Sequence, residues 1–224
     1  MPARNPFHDN LPSDPDLSFE IALWQQGWQA VAGIDEAGRG ALAGPVAAAA
    51  IILPADPYLN RMLSGVRDSK QMTPLARTHW AIHLKEIALA WGIGFASSDE
   101  IDAIGIVPAT RLAALRAVQQ LKPQPEHLLI DYLSLPEISL PQTSLVKGDA
   151  RCYSIAAASI LAKTSRDQLC NDLDSQYPGY GFRQHKGYGT RLHLAALAQL
   201  GPVPVHRRSF APIAFYYGRE GGER

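Results

Sequence analysis

Val31-Ala32-Gly33-Ile34-Asp35-Glu36-Ala37-Gly38-Arg39-Gly40 is the stretch on which the reading of this chain turns. Its opening residues, Val31 to Ile34, are short, apolar and interrupted by glycine, the pattern of a buried strand. Two adjacent carboxylates, Asp35 and Glu36, then stand between that strand and a glycine-rich turn, Gly38-Arg39-Gly40. Burying them side by side is unfavourable, because like charges repel and each carboxylate loses hydration. A divalent cation relieves both problems, and hard oxygen ligands suit Mg2+ or Mn2+. Taken alone, such a pair is more often two solvated turn carboxylates.

Working outward, the pattern repeats. Pro45 to Leu53 predicts a second strand, Thr73 and Pro74 open a helix running to about Ala90, and Trp91 to Ser97 predicts a third strand. Pro108 starts a helix with Leu112, Leu115, Val118 and Leu121 at helical spacing, which Pro123 and Pro125 stop. His127 to Asp131 is a compact strand that again ends in a carboxylate. Asp149, in Lys147-Gly148-Asp149, directly precedes a helix with an alanine-rich face from Ser154 to Leu173. Tyr177 to Gly189 reads as a glycine-rich, aromatic loop, and Thr190 caps a last helix closed by Gly201 and Pro202. Upstream, Phe19 to Trp28 predicts a short amphipathic helix, preceded by a flexible leader, residues 1–17, interrupted by Pro2, Pro6, Pro12 and Pro15. Strands and helices thus alternate in a single α/β domain, residues 18–224, whose portion from about 150 onward is helical and basic. Neighbouring strands could bring Asp131 beside Asp35, and with Asp149 the carboxylates would make an oxygen-only, two-metal site plausible for phosphodiester chemistry.

Composition narrows the alternatives. With 46% hydrophobic and 19% charged residues, a packed core is expected and global disorder is not. No apolar run reaches the roughly 18–20 residues of a membrane span, and the N-terminus lacks the apolar core of a secretion signal. Cys152 and Cys170 form neither a CxxC motif nor a disulfide framework, so a cytoplasmic setting is expected. Net charge is zero, but residues 1–145 carry 10 basic and 15 acidic side chains, whereas residues 146–224 carry 11 and 6. That split suits an acidic metal site beside a phosphate-binding surface. Neither a GxSxG nor a P-loop pattern occurs, so serine-hydrolase and nucleotide-triphosphatase readings lack their usual support. His79 and His83 have zinc-compatible helical spacing but no third ligand or nearby catalytic glutamate to complete a site.

The opening stretch, followed by Ala43-Gly44-Pro45-Val46, closely resembles the signature segment of the ribonuclease HII family. The resemblance continues through Asp68-Ser69-Lys70, Lys147-Gly148-Asp149, Ser154 to Lys163, Arg166-Asp167, Tyr177 to Phe182, His185 to Tyr188 and His206 to Phe210. It implies a ribonuclease H-like mixed sheet flanked by helices, with a C-terminal helical extension. It also implies a four-carboxylate site at Asp35, Glu36, Asp131 and Asp149 holding two Mg2+ or Mn2+ ions. By the same comparison Gly38, Arg39 and Gly40, together with Tyr188, sense the ribonucleotide, and Lys70 contacts a phosphate. The chemistry agrees: glycine lets backbone amides approach a ribose, the 2′-OH separates RNA from DNA, and tyrosine offers a flat face and a hydroxyl. The implied activity is hydrolysis of RNA in RNA–DNA hybrids and cutting 5′ to ribonucleotides embedded in DNA; a monomer is the default expectation, and no membrane association is expected.

One departure stands out. The family usually has glycine after the third carboxylate, whereas this chain has Tyr132, so the backbone path there and the fit of substrate are open. Lys163 and Arg166 are candidates to face the substrate backbone, and Asp167 is expected to partner Arg166. His185 and His206 read as structural. Phe215-Tyr216-Tyr217 has the aromatic content of a clamp-binding peptide without the matching upstream pattern, leaving a clamp interaction unknown.

Overall fold

The computed structural model describes residues 14–217. In chain order these form α1 (Ser18–Gln25), β1 (Val31–Ala37), β2 (Val46–Ile52), α2 (Leu59–Met62), α3 (Pro74–Ile87), β3 (Ala90–Ala96), α4 (Ser98–Ile104), α5 (Ile106–Val118), β4 (His127–Asp131), β5 (Gln142–Leu145), α6 (Tyr153–Gln176), α7 (Phe182–His185), α8 (Arg191–Leu200) and α9 (Ala211–Tyr217). The strands make one mixed sheet in the order β3-β2-β1-β4-β5. β1 pairs antiparallel with β2 and parallel with β4, so the central strand joins a meander to a crossover. No helix among the described residues is long and apolar enough to cross a membrane.

The strand period of two divides the core between two layers. From β2, Ala48, Ala50 and Ile52 join Ala109, Ala113 and Ala117 of α5 on one face. Ala49 and Ile51 join Ala156, Ala157, Ile160 and Leu161 of α6 on the other. Small side chains bring α6 close to the sheet: a Cβ on Gly33 would lie 2.1 Å from the Ser154 carbonyl carbon, so only glycine fits there.

Local chemistry sets the boundaries. Thr73 caps α3 by accepting from the Ala76 N–H at 3.2 Å, with Pro74 first in the helix. Ser97 and Glu100 form a reciprocal capping box that opens α4, a helix absent from the sequence-based expectation. β5 was also absent from it, because Gln142 to Leu145 is short, polar and at the sheet edge. β1 runs to Ala37 rather than stopping at Ile34. Its ladder to β2 continues through Asp35↔Ala49 and Glu36↔Ala48, so both carboxylates lie within a strand and not on a solvated turn.

Residues 1–13 of the expected leader lie outside the described residues. At its end Asp16 bridges Cys152, and Leu17 is buried. Glu20 of α1 is fully buried at the start of α6, where its Oε1 accepts from the Ser154 N–H and hydroxyl, each at 2.7 Å, and from the Cys152 thiol at 3.1 Å. It acts as a capping group supplied from another helix.

Candidate carboxylate site and substrate cleft

Pairing between β1 and β4 ends at Ile34↔Ile130. Asp35 and Asp131 are therefore the next residues on adjacent parallel strands. Asp149 arrives on the short 3-10 turn Gly148–Ala150 that leads into α6. That turn is tied to the sheet by the Gly148 N–H, which donates to Asp131 Oδ1 at 2.7 Å. Glu36 follows Asp35 in the strand, donates its N–H to Asp35 Oδ1 at 2.7 Å and accepts from Arg39 Nη1 at 3.2 Å. Asp35 and Asp149 are only 5% and 6% exposed, which makes the charge problem acute.

The electrostatics follow from that burial. Desolvation pushes the Asp35 carboxyl well above its usual range, and Glu36, Asp131 and Asp149 raise it further. Burial, then Asp68 and Asp131, raise Asp149 to about 6. Burial also raises Glu36 and Asp131, opposed mainly by Arg39 and by the Gly148 N–H respectively. Lys70, with Nζ 3.7 Å from Asp149 Oδ2, is lowered by the partial desolvation of its ammonium group at the site, but Asp149, Asp68, Asp35 and Asp131 together outweigh this and raise it. The oxygens are thus short of positive charge, as a set of hard ligands for a divalent cation would be. Among the described residues no three such groups close into a ready-made metal cage. Glu36 leans on Arg39 and Asp149 on Lys70, the relaxation expected of carboxylates whose counter-charges are neighbouring side chains.

A cleft opens beside the carboxylates, lined by Glu36, Gly38, Arg39, Gly40, Lys70, Lys163 and Tyr188. The structure therefore brings the Gly38-Arg39-Gly40 loop, Lys70 and Tyr188 to one place. Two fully buried arginines pack behind the loop that lines it. Arg166 donates to the carbonyls of Pro45 (3.0 Å), Lys186 (2.9 Å) and Ala43 (3.2 Å), and its guanidinium lies 5.4 Å from the Tyr188 ring centre. Arg207 donates to the carbonyls of Gly44 (3.0 Å), Arg39 (2.8 Å) and Gly38 (2.8 Å). Gly38 adopts φ +93°, and a Cβ there would meet Arg166 Nε at 1.9 Å.

A histidine cluster supports Tyr188 from behind. His193 Nδ1 lies 3.0 Å from the Tyr188 carbonyl, and its Nε2 lies 3.1 Å from His206 Nε2. The Val203 N–H donates to His206 Nδ1 at 2.9 Å. One neutral assignment satisfies this chain: His193 carries its proton on Nδ1, and His206 carries its own on Nε2. His185 stacks on His193 with ring centres 4.3 Å apart.

Some expectations need correction. Arg166 does not face a substrate, since it is wholly inside the protein. Nor does it pair with Asp167, which binds Arg77 at 3.1 Å and Lys163 at 2.7 Å. The signal was present: Ala162, Arg166, Cys170 and Leu173 share the buried stripe of α6. Arg207 gave no comparable hint. Both cysteines are free and buried. His79 and His83 pack against Trp80, with ring centres 6.2 and 5.7 Å away.

Comparison with known proteins agrees with this geometry. Residues 32–213 match the family described as Ribonuclease HII. The chain belongs to the ribonuclease HII family. A ribonuclease HII from Synechococcus sp. (strain JA-3-3Ab) is 57% identical over 201 residues, covering 89% of each chain. The ribonuclease H2 of Pyrococcus horikoshii OT3 superposes with a TM-score of 0.72 at 24% identity, over 86% of this chain and 99% of that one. Bst-RNase HIII in complex with Mn2+ gives a TM-score of 0.63 at 19% identity, over 99% of this chain and 78% of that one. Ribonucleases HII are endoribonucleases that hydrolyse the RNA of RNA–DNA hybrids, and the mixed five-stranded sheet flanked by helices is the fold shared with these structures.

Proposed function

We propose that this chain cuts the phosphodiester on the 5′ side of a ribonucleotide, in hybrids and in DNA carrying embedded ribonucleotides, leaving a 3′-hydroxyl and a 5′-phosphate. The observation that carries the reading is the convergence of Asp35, Glu36, Asp131 and Asp149 where two adjoining cavities meet, beside a glycine loop held by two buried arginines. The carboxylates would hold two Mg2+ or Mn2+ ions. Such ions, when bound, lower the pKa of an attacking water and stabilise the departing oxygen. The Mn2+ complex of Bst-RNase HIII, which shares the fold, supports this choice of metal.

The chain's own residues supply position and selectivity. Gly38 and Gly40 allow close approach of backbone to the ribose, and Arg207 and Arg166 fix that backbone through its carbonyls and from below. Tyr188 presents its ring and hydroxyl to the 2′-OH side of the sugar. Lys70, whose side chain is 76% exposed, is free to exchange Asp149 for a substrate phosphate. The test is cleavage of a DNA duplex carrying one ribonucleotide, with Mg2+, Mn2+ or EDTA, beside an all-DNA duplex and an RNA–DNA hybrid. A metal-dependent cut 5′ to the ribonucleotide and none in all-DNA is expected. Failure to cut either RNA-containing substrate, by folded protein that binds it, would overturn the proposal.

A further inference from the structure

The carboxylates border a second cavity, which the sugar-reading cleft leaves unused. Asp131 and Asp149 line it with Tyr132, Lys147, Arg39 and Lys70. We propose that Tyr132, Val146 and Lys147 form a nucleotide subsite on the other side of the scissile phosphate from Tyr188. The Tyr132 ring lies against the sugar and base of that nucleotide, and the Lys147 ammonium meets its phosphate. This inference rests on the hybrid-cleaving reading above.

The placement follows from the sheet. β4 and β5 run parallel, with Asp131 opposite Leu145, and the Tyr132 N–H donates to the Leu145 carbonyl at 2.9 Å. Tyr132 and Val146 therefore leave the sheet side by side, and both are exposed, at 67% and 53%. Tyr132 has φ +59° and Lys147 φ +55°, the left-handed region that disfavours side chains as bulky as these. The conformation is held by the Leu145 contact and by the Gly148 N–H on Asp131.

A strained tyrosine with most of its surface in water gains little from packing, so the fold gives no reason for the ring. Strain of this kind beside a reactive centre points to function. An exposed aromatic face, an apolar neighbour and lysines are what a single nucleotide unit requires: stacking for its base or sugar, and positive charge for its phosphate. The two cavities share Arg39 and Lys70. A strand that places a phosphate on the carboxylates therefore has one neighbouring nucleotide beside Tyr188 and the other beside Tyr132.

The test uses the single-ribonucleotide duplex. Cleavage by the wild type comes first, because without it the underlying reading has failed rather than the subsite. Tyr132→Gly removes the ring and relaxes the backbone, so it should melt no lower than the wild type. Its KM should rise about tenfold, as loss of one stacking contact implies, with a smaller change in kcat. Tyr132→Asn, which also tolerates the left-handed conformation, should behave alike, and Tyr132→Phe should retain the wild-type KM. Lys147→Gln should lower the slope of log affinity against log salt by about one phosphate contact. A wild-type KM in Tyr132→Gly and Tyr132→Asn, or a loss in Tyr132→Phe as large as in Tyr132→Gly, overturns the stacking role. An unchanged salt slope in Lys147→Gln overturns the phosphate contact.

Discussion

Gly38→Ala tests whether the buried arginines set the shape of the cleft. Alanine at φ +93° is strained in itself, by roughly 1–2 kcal/mol. Its Cβ would also stand 1.9 Å from Arg166 Nε, 2.5 Å from Cδ and 2.6 Å from Cζ. An arginine at the surface would swing aside at little cost, but this one is fully buried and bonded to three carbonyls. If Arg166 yields, at least one of those bonds breaks. If the loop yields instead, the Gly38 carbonyl pulls away from Arg207. Hydrogen bonds to charged groups contribute about 1.5–3 kcal/mol each, so the whole change should cost about 3–5 kcal/mol. For a domain of this size that lowers Tm by about 10 °C. The assay is urea and thermal unfolding of four proteins: wild type, Gly38→Ala, Arg166→Ala and the double variant. On the Arg166→Ala background the clashing Cδ, Nε and Cζ atoms are gone, and Gly38→Ala should cost only its backbone strain, about 1–2 kcal/mol. Equal cost on both backgrounds would refute the clash, and wild-type melting of Gly38→Ala would refute the whole construction.

Three further outcomes are expected. Asp35→Asn should abolish most cleavage while the protein melts at or above the wild-type temperature in EDTA, because a buried charge facing three like charges is removed; near-normal turnover would sink the carboxylate assignment. Glu20→Ala should cost about 2–4 kcal/mol in urea unfolding, since three buried donors at the start of α6 lose their acceptor, and a loss near zero would show that the cap is dispensable. Burial first, then His185, lower His193 to about 4, whereas the unfolded chain takes up that proton near the ordinary value of 6.5. The contribution is therefore present above pH 6.5 and is lost as pH falls towards 4, by about 3 kcal/mol in all. Denaturant titrations should show a flatter acid limb in His193→Gln than in the wild type, and identical limbs would contradict it.

What could be read in the sequence was what depends on local pattern. The apolar run before Asp35, the compact strand ending at Asp131 and the alanine face of α6 each announce their element within a few residues. Proline and threonine at 73–74 announce a helix start just as locally. β5 was hidden because its four residues carry no alternation of their own and pair only where β4 offers an edge. α4 was hidden because its capping box follows a strand without a loop to mark the change. At the site, residue types and their places at element ends made a carboxylate site plausible, while the four-carboxylate set, the loop and Tyr188 came from the family resemblance. Neither could show that Asp131 holds the Gly148 turn, or that the Tyr132 backbone is left-handed like that of a glycine.

The arginines fall on the far side of the same divide. A carboxylate partner can be sought by charge, but Arg166 and Arg207 are satisfied largely by main-chain carbonyls, which every residue possesses and no sequence distinguishes. Arg207 is fully buried, and that burial pulls it down to about 9, so it remains charged at neutral pH. A cation without a carboxylate hydrogen-bonding partner is costly to bury, and an apolar residue would fill the space with less desolvation. What it gives in return is geometric, because its planar fork reaches Gly38, Arg39 and Gly44 together and sets the loop by three bonds at once. The division of charge along the chain is only partly a division in space. β1 and β4 supply Asp35, Glu36 and Asp131, and Lys163 of α6 faces the cleft from beyond residue 146, but Asp149 joins the carboxylates from beyond that boundary and Arg39 and Lys70 join the cations from before it. Net charge could not reveal this, since the two signs cancel in the sum and differ only in where the fold puts them.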